Sequence, residues 1–102
     1  AVAHGNLVFL SGQVADKAKG QSVTEQTKDI LGQIDAILKD AGTDKTKLIS
    51  ANIWLADMST FAEMNAVWDG WVSQGNTPAR ATVEAKLAAP EYTVEIAVIA
   101  AR

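Results

Sequence analysis

The sequence predicts an α+β fold, a two-layer sandwich with two helices on one face of a mixed sheet. Three observations predict it. Ile30, Ile34, Ile37, Leu38 and Ala41 recur at spacings of three and four, and so do Phe61, Met64, Trp68, Trp71 and Val72. Each set makes one apolar helical stripe. Leu48–Ala56 alternates as a strand does. The run Val94–Ala100 is apolar throughout except for Glu95, as a strand covered on both faces would be.

Taken in order, Leu7–Leu10 reads as a short strand that ends in a tight turn at Ser11-Gly12-Gln13. A further strand is admitted near Val14, and Lys17–Gln21 is polar loop. Ser22-x-x-Glu25 is a capping-box pattern that starts the first helix. Gly42 stands where a left-handed cap would end it. In the strand Leu48–Ala56, Ile49, Ala51, Ile53 and Leu55 fall on one face, with Leu48, Ser50, Asn52, Trp54 and Ala56 on the other. Thr60-x-x-Glu63 is a second capping box, and Gly75 is the expected end of the second helix. Ala81–Leu87 and Tyr92–Ala101 read as two strands joined through Ala88, Ala89 and Pro90 as a hairpin.

Composition narrows the function. The 102 residues fit one domain spanning 1–102. A chain of this size buries roughly 60–70% of its unfolded surface. That leaves little for a deep internal pocket, so a site is expected at the surface or between subunits. Nine basic against twelve acidic residues give a net charge of −3 without a basic stripe. Counterion release then has no source, and no nucleic-acid partner is expected. No apolar run approaches the ~18–20 residues needed to cross a bilayer, so no membrane partner is expected either. The absence of cysteine excludes disulfides, thiolate metal sites and a cysteine nucleophile, and is compatible with the cytoplasm, the expected location. A single histidine excludes a multi-histidine metal site. Helices on one face leave a second sheet face that is also apolar. The commonest cover for such a face is another copy of the chain.

A few residues stand out as chemistry. Arg80, in Pro78-Ala79-Arg80-Ala81-Thr82-Val83-Glu84, opens a strand at the mouth of the sheet. An arginine there either presents its planar fork to a carboxylate or stays solvated or paired with an acid. Glu95 is a carboxylate inside an apolar run, which signals a partner or a function unless it points outward. With the hairpin register above, the two are about 17 Å apart, too far to pair within one chain. Ser11 and Gly12 offer backbone amides at a turn, able to hold a carboxylate or oxyanion. Asn65 sits on the second helix between Met64 and Ala66. Trp68 and Trp71 read as core, and His4 carries no chemistry.

The segment Pro78–Glu84, followed fifteen residues after the arginine by Val94-Glu95-Ile96, resembles the C-terminal signature of the RidA/YjgF family. Ser11-Gly12-Gln13 after a short strand resembles the family's N-terminal segment, and Phe61-Ala62-Glu63-Met64-Asn65-Ala66-Val67-Trp68 its second helix. The resemblance runs over essentially the whole chain. It implies a chorismate-mutase-like homotrimer with a central barrel of sheets and three clefts between subunits. It implies hydrolysis of reactive enamines and imines, such as 2-aminoacrylate, to 2-keto acids and ammonia, with no metal or organic cofactor. Carried over by position, Arg80 would clamp the substrate carboxylate and Glu95 would orient or activate water. The Ser11 and Gly12 amides, Asn65 and Thr82 would line the cleft. Two departures are visible. Family members often carry Cys where this chain has Thr82, and a cleft aromatic, often Tyr, falls before Ala1.

Two other readings use the same features. A non-catalytic trimer that binds small carboxylates or regulates a partner would keep the Arg80 clamp. A ferredoxin-like interaction module also carries two helices on a mixed sheet, and its oligomers are more often dimers.

Overall fold

Five strands form one sheet in the computed structural model, which describes residues 1–102. They are β1 (Val2–His4), β2 (Leu7–Phe9), β3 (Leu48–Leu55), β4 (Ala79–Glu84) and β5 (Val94–Ala101), in the order β1-β2-β5-β3-β4. All neighbours are antiparallel except β3 and β4, so the sheet is mixed. Helix α1 (Val23–Asp40) joins β2 to β3, and α2 (Phe61–Trp71) joins β3 to β4. Both connections run between strands that point the same way, which requires a crossover, and both helices lie on one side.

Helix α1 forms where expected. The Ser22 hydroxyl accepts a hydrogen bond from the Glu25 N–H at 3.2 Å. At the other end, Gly42 takes a φ of +80°. The Thr43 N–H reaches the Leu38 carbonyl and the Gly42 N–H that of Lys39, both at 3.0 Å. This paired closure needs a left-handed residue, which glycine adopts without a Cβ penalty. Between the caps, Ile30, Leu31, Ile34 and Leu38 are fully buried against the sheet. Each contributes roughly 1.5–3 kcal/mol by leaving water.

The sheet side of the core follows the two-residue period. Ala51, Ile53 and Leu55 of β3 sit beside Val98, Ile96 and Val94 of β5, all buried under the helices. The opposite face is also rich in apolar groups. Trp54, Ala97 and Ile99 are half-buried there, while Phe9 and Val83 are exposed.

Several expectations are corrected. The hairpin does not form. β4 pairs with β3 in parallel, and β5 lies on the other edge of β3, so β3 separates the two. Alternation marks a strand but does not say which neighbour it takes, and the link through Ala88–Pro90 lacks the Asn-Gly type of turn that would fix one. Residues 85–93 instead cross the end of β3. Ala85 donates to Leu55 there, and Ala56 donates to Thr93.

The second capping box does not close either. Thr60 makes no side-chain cap. Its hydroxyl donates to the Asp57 carbonyl, while the Glu63 carboxylate accepts from the N–H and hydroxyl of Thr24, tying α2 to the start of α1. Helix α2 ends at Trp71 rather than near Gly75, which serves a later turn with φ +83°. A bulge between Leu48 and Ser50 buries Leu48 and turns Ile49 outward, reversing the assigned faces at that end. The strand near Val14 is a single bridge between Gln13 and Ile96, and β1 was not anticipated.

Candidate functional site

The residues singled out by the sequence gather in two places on opposite faces of the sheet. Arg80 lies on β4 beside Ala51, on the helix side. Glu95 lies on β5 beside Trp54, on the other side. They are three residues apart along the strands and two strands apart across them. At ~3.3 Å per residue and ~4.8 Å per strand, their Cα atoms are about 14 Å apart, and the side chains diverge. Arg80 and Glu95 therefore do not meet within one chain, through a geometry different from the hairpin.

Arg80 rests against one face of α2. Its Nη1 donates to the Asn65 Oδ1 at 2.7 Å. The amide nitrogen of Asn65 in turn donates to Asp69 Oδ2 at 3.2 Å. The guanidinium carbon is 5.6 Å from the centre of the Phe61 ring and 5.5 Å from that of Trp68. Such distances allow a cation–π attraction. Trp68 is held in turn by Trp71, with ring centres 5.4 Å apart. No carboxylate pairs with Arg80, since the ion pairs of the chain are Lys19–Glu91 and Lys28–Glu25. A half-buried cation held this way keeps donors for an anion that comes from outside.

Thr82 follows Arg80 on the same side of β4. Its hydroxyl oxygen is buried with no hydrogen-bond partner in the chain. Leaving such a group unpaired costs about 1–3 kcal/mol.

The second cluster is Gly12 with Glu95. Gln13 and Ile96 exchange two backbone hydrogen bonds, at 2.8 and 3.0 Å. These lay the Ser11–Gln13 segment along β5. The Gln13 side chain steadies it by donating to the Ser11 carbonyl at 3.1 Å. A Cβ built on Gly12 would collide with the Glu95 carboxylate oxygen. Glycine at position 12 therefore serves the close approach of Glu95, not backbone twist, because its φ is not positive. The structure thus brings Gly12 to Glu95, and Asn65 to Arg80 with Thr82 beside it on β4. It does not bring the two groups together.

The sequence reading missed three participants. Phe61 and Trp68 read as core stripe, and Asp69 drew no notice. The signal was present in the spacing. Positions 61, 65 and 68 stand at i, i+4 and i+7, so Asn65 is a polar residue on an apolar helical face.

No concavity within the single chain holds either cluster. The largest, of about 660 Å³, lies between α1 and α2 and is lined by Lys28, Lys45 and Trp71 among others. A second, of about 550 Å³, lies under the 84–92 link.

The chain is similar to known proteins over its whole length. The family model described as Endoribonuclease L-PSP matches residues 1–102. A RutC family protein of Haemophilus influenzae is 47% identical over 97 residues, covering 95% of this chain and 84% of the relative. The RutC family protein YoaB of Escherichia coli K12 is 43% identical over 100 residues, covering 98% and 86%. The crystal structure of a YjgF family member from Neisseria meningitidis superposes with a TM-score of 0.91 at 50% identity, covering 95% of this chain and 80% of that one. No helix of the chain is long and apolar enough to cross a membrane. With the whole chain matched in sequence and in fold, the protein belongs to the RidA/YjgF family, the Endoribonuclease L-PSP family of the matching model.

Proposed function

We propose that this protein is a hydrolytic deaminase of reactive enamines and imines, giving 2-keto acids and ammonia, and that it works as a homotrimer. The observation that carries the reading is Arg80, a cation fixed by Asn65 and two aromatic rings and left without a carboxylate of its own chain. A planar fork so held suits the carboxylate of a 2-imino acid. Clamping it places the neighbouring imine carbon.

Glu95 supplies the second function. Its carboxylate orients a water and accepts a proton as that water adds to the C=N carbon. The proton passes to nitrogen. The hydroxyl proton of the resulting carbinolamine is then relayed through Glu95 to the nitrogen as the C–N bond breaks, which releases ammonia and leaves the C=O of the 2-keto acid. The imine carbon is already electrophilic, so positioning and proton transfer suffice and no cofactor is called for. Amides of Ser11 and Gly12, with Asn65 and Thr82, line the cleft.

The distance between the two groups supports an assembly of copies, and the resemblance to the family makes that assembly a trimer. Arg80 and Glu95 on opposite faces can serve one substrate only if different copies supply them. The apolar second face, with Phe9, Trp54, Val83 and Ile99, gives those copies a surface to bury. We also take the protein to be cytoplasmic, without nucleic-acid or membrane partners. A trimer that binds 2-keto acids without turnover is the second reading, favoured by the same Arg80 cradle. An RNA substrate, which the family description suggests, finds little support in a net charge of −3.

The test is hydrolysis of an imine made in situ by an amino-acid oxidase and followed by semicarbazide trapping. Wild type should speed imine loss and Arg80→Ala should not. If both match the enzyme-free rate, catalysis is refuted and the binding reading takes its place. Equal acceleration by both would keep the enzyme and remove Arg80 from its role.

A further inference from the structure

Helix α2 seats Arg80 along a single row of side chains. Phe61, Asn65 and Trp68 occupy i, i+4 and i+7, so they form a single row along the helix. Seven residues of helix rise about 10.5 Å. The Arg80 guanidinium carbon sits nearly equidistant from the two rings, 5.6 and 5.5 Å from their centres, with Asn65 between them. The guanidinium thus lies in a seat two helical turns long. Asn65 accepts from Nη1, which requires its amide oxygen to face Arg80. An amide can flip and present its NH₂ instead, which would repel the guanidinium. Asp69, one turn further along, blocks the flip by accepting from the amide nitrogen at 3.2 Å. A carboxylate cannot donate, so it selects one amide orientation.

We infer that Asp69, Phe61 and Trp68 are positioning residues that lock the Arg80 guanidinium in one plane and rotamer, acting through Asn65 and the two rings, so that it meets a substrate carboxylate as a preset fork. The assignment rests on Arg80 being the carboxylate clamp. It explains why an arginine suits position 80. A lysine ammonium has no plane to seat between rings and no fork to preset. It also gives Asp69 a task although it is exposed and touches neither substrate nor Arg80. Fixing a fork before the ligand arrives removes the ordering cost from binding.

The test reads Arg80 itself. The rate of guanidinium rotation about the Nε–Cζ bond is measured by side-chain exchange NMR in wild type, Asp69→Ala, Phe61→Leu and Trp68→Phe. The affinity of each for 2-oxobutanoate is measured by titration calorimetry. Asp69 and Phe61 are exposed and their variants fold whatever their role; Trp68→Phe keeps an aromatic ring in the core and serves as the conservative rescue. Wild type should rotate slowly. Asp69→Ala should free the rotation and weaken 2-oxobutanoate by about 3- to 10-fold, the loss of one anchoring hydrogen bond. Phe61→Leu should weaken it by about 3-fold. Trp68→Phe, which keeps a smaller ring beneath the guanidinium, should lose less than Phe61→Leu in both readouts, and a larger loss than Phe61→Leu would overturn the role of the rings. A guanidinium that rotates freely in wild type, or unchanged rotation and affinity in Asp69→Ala and Phe61→Leu, overturns the assignment while the clamp stands. If wild type binds no 2-oxobutanoate, the clamp itself is overturned and the assignment goes with it.

Discussion

Gly12→Ala is the change that most sharply separates stability from chemistry. The backbone at position 12 has no positive φ, so alanine is allowed there. The three atoms nearest the added Cβ all belong to the Glu95 side chain, a carboxylate oxygen foremost. Glu95 must withdraw by about 1 Å or more to reach ordinary contact, and a misplacement of that size can cost about 100-fold in rate. Stability should hardly move, because a flexible carboxylate yields cheaply. A cost within ~0.5 kcal/mol shifts the Tm of a domain this size by about 2–4 °C. The assay is imine loss with semicarbazide trapping beside a thermal melt, run on Gly12→Ala, Glu95→Gln and the double variant. The double variant should be no slower than Glu95→Gln alone, because Gly12 acts through Glu95. Activity of Gly12→Ala within 2-fold of wild type would refute the reasoning, and so would additive losses in the double variant.

Three further outcomes are expected. Ile53→Ala empties a fully buried site on the central strand; a loss of about 2–5 kcal/mol should lower Tm by roughly 10–30 °C in calorimetry. Asp29 responds to acid: burial works against its charge, but the Ala18 and Lys17 amides that donate to it, at 3.0 and 2.8 Å, with Gln33 and the Lys17 charge, hold its pKa below the ordinary aspartate value. Its contribution to stability is therefore full above that ordinary value and fades as pH falls through the lowered one, so the Tm gap between wild type and Asp29→Asn should close on acidification and stay open at neutral pH. Wild type should sediment near three times 10.8 kDa, and Phe9→Asp, which charges the apolar second face, should shift the mass toward the monomer.

How far the sequence carried depends on what each signal can encode. Helix α1 was readable to within a residue because Ser22, the Ile30–Ala41 stripe and Gly42 are local and agree with one another. The strands were readable as strands, but their neighbours were not. Pairing of β4 with β3 depends on the crossover through α2, which no alternation pattern records. Glu63 fitted a capping box locally, yet the amide and hydroxyl of Thr24, brought close by tertiary packing, claim its carboxylate. At the site, Arg80 stood out because it opens a strand at the mouth of the sheet, and Glu95 because charge is costly in an apolar run. That Gly12 makes room for a carboxylate could not be read, since that side chain is 83 positions away. Phe61 and Trp68 hid as core because an aromatic ring in a helical stripe looks the same whether it faces a leucine or a guanidinium.

We propose a site that takes Arg80 from one copy and Glu95 from another. Mixing tests it most directly. Arg80→Ala and Glu95→Gln proteins, each inactive alone, are combined in equal amounts, allowed to exchange subunits and assayed for imine loss. In random mixed trimers about one site in four joins an intact Arg80 to an intact Glu95, so about a quarter of wild-type activity should return. If subunits exchange, as mass spectrometry of the mixture can establish, and activity stays at the level of the separate variants, the shared site is contradicted.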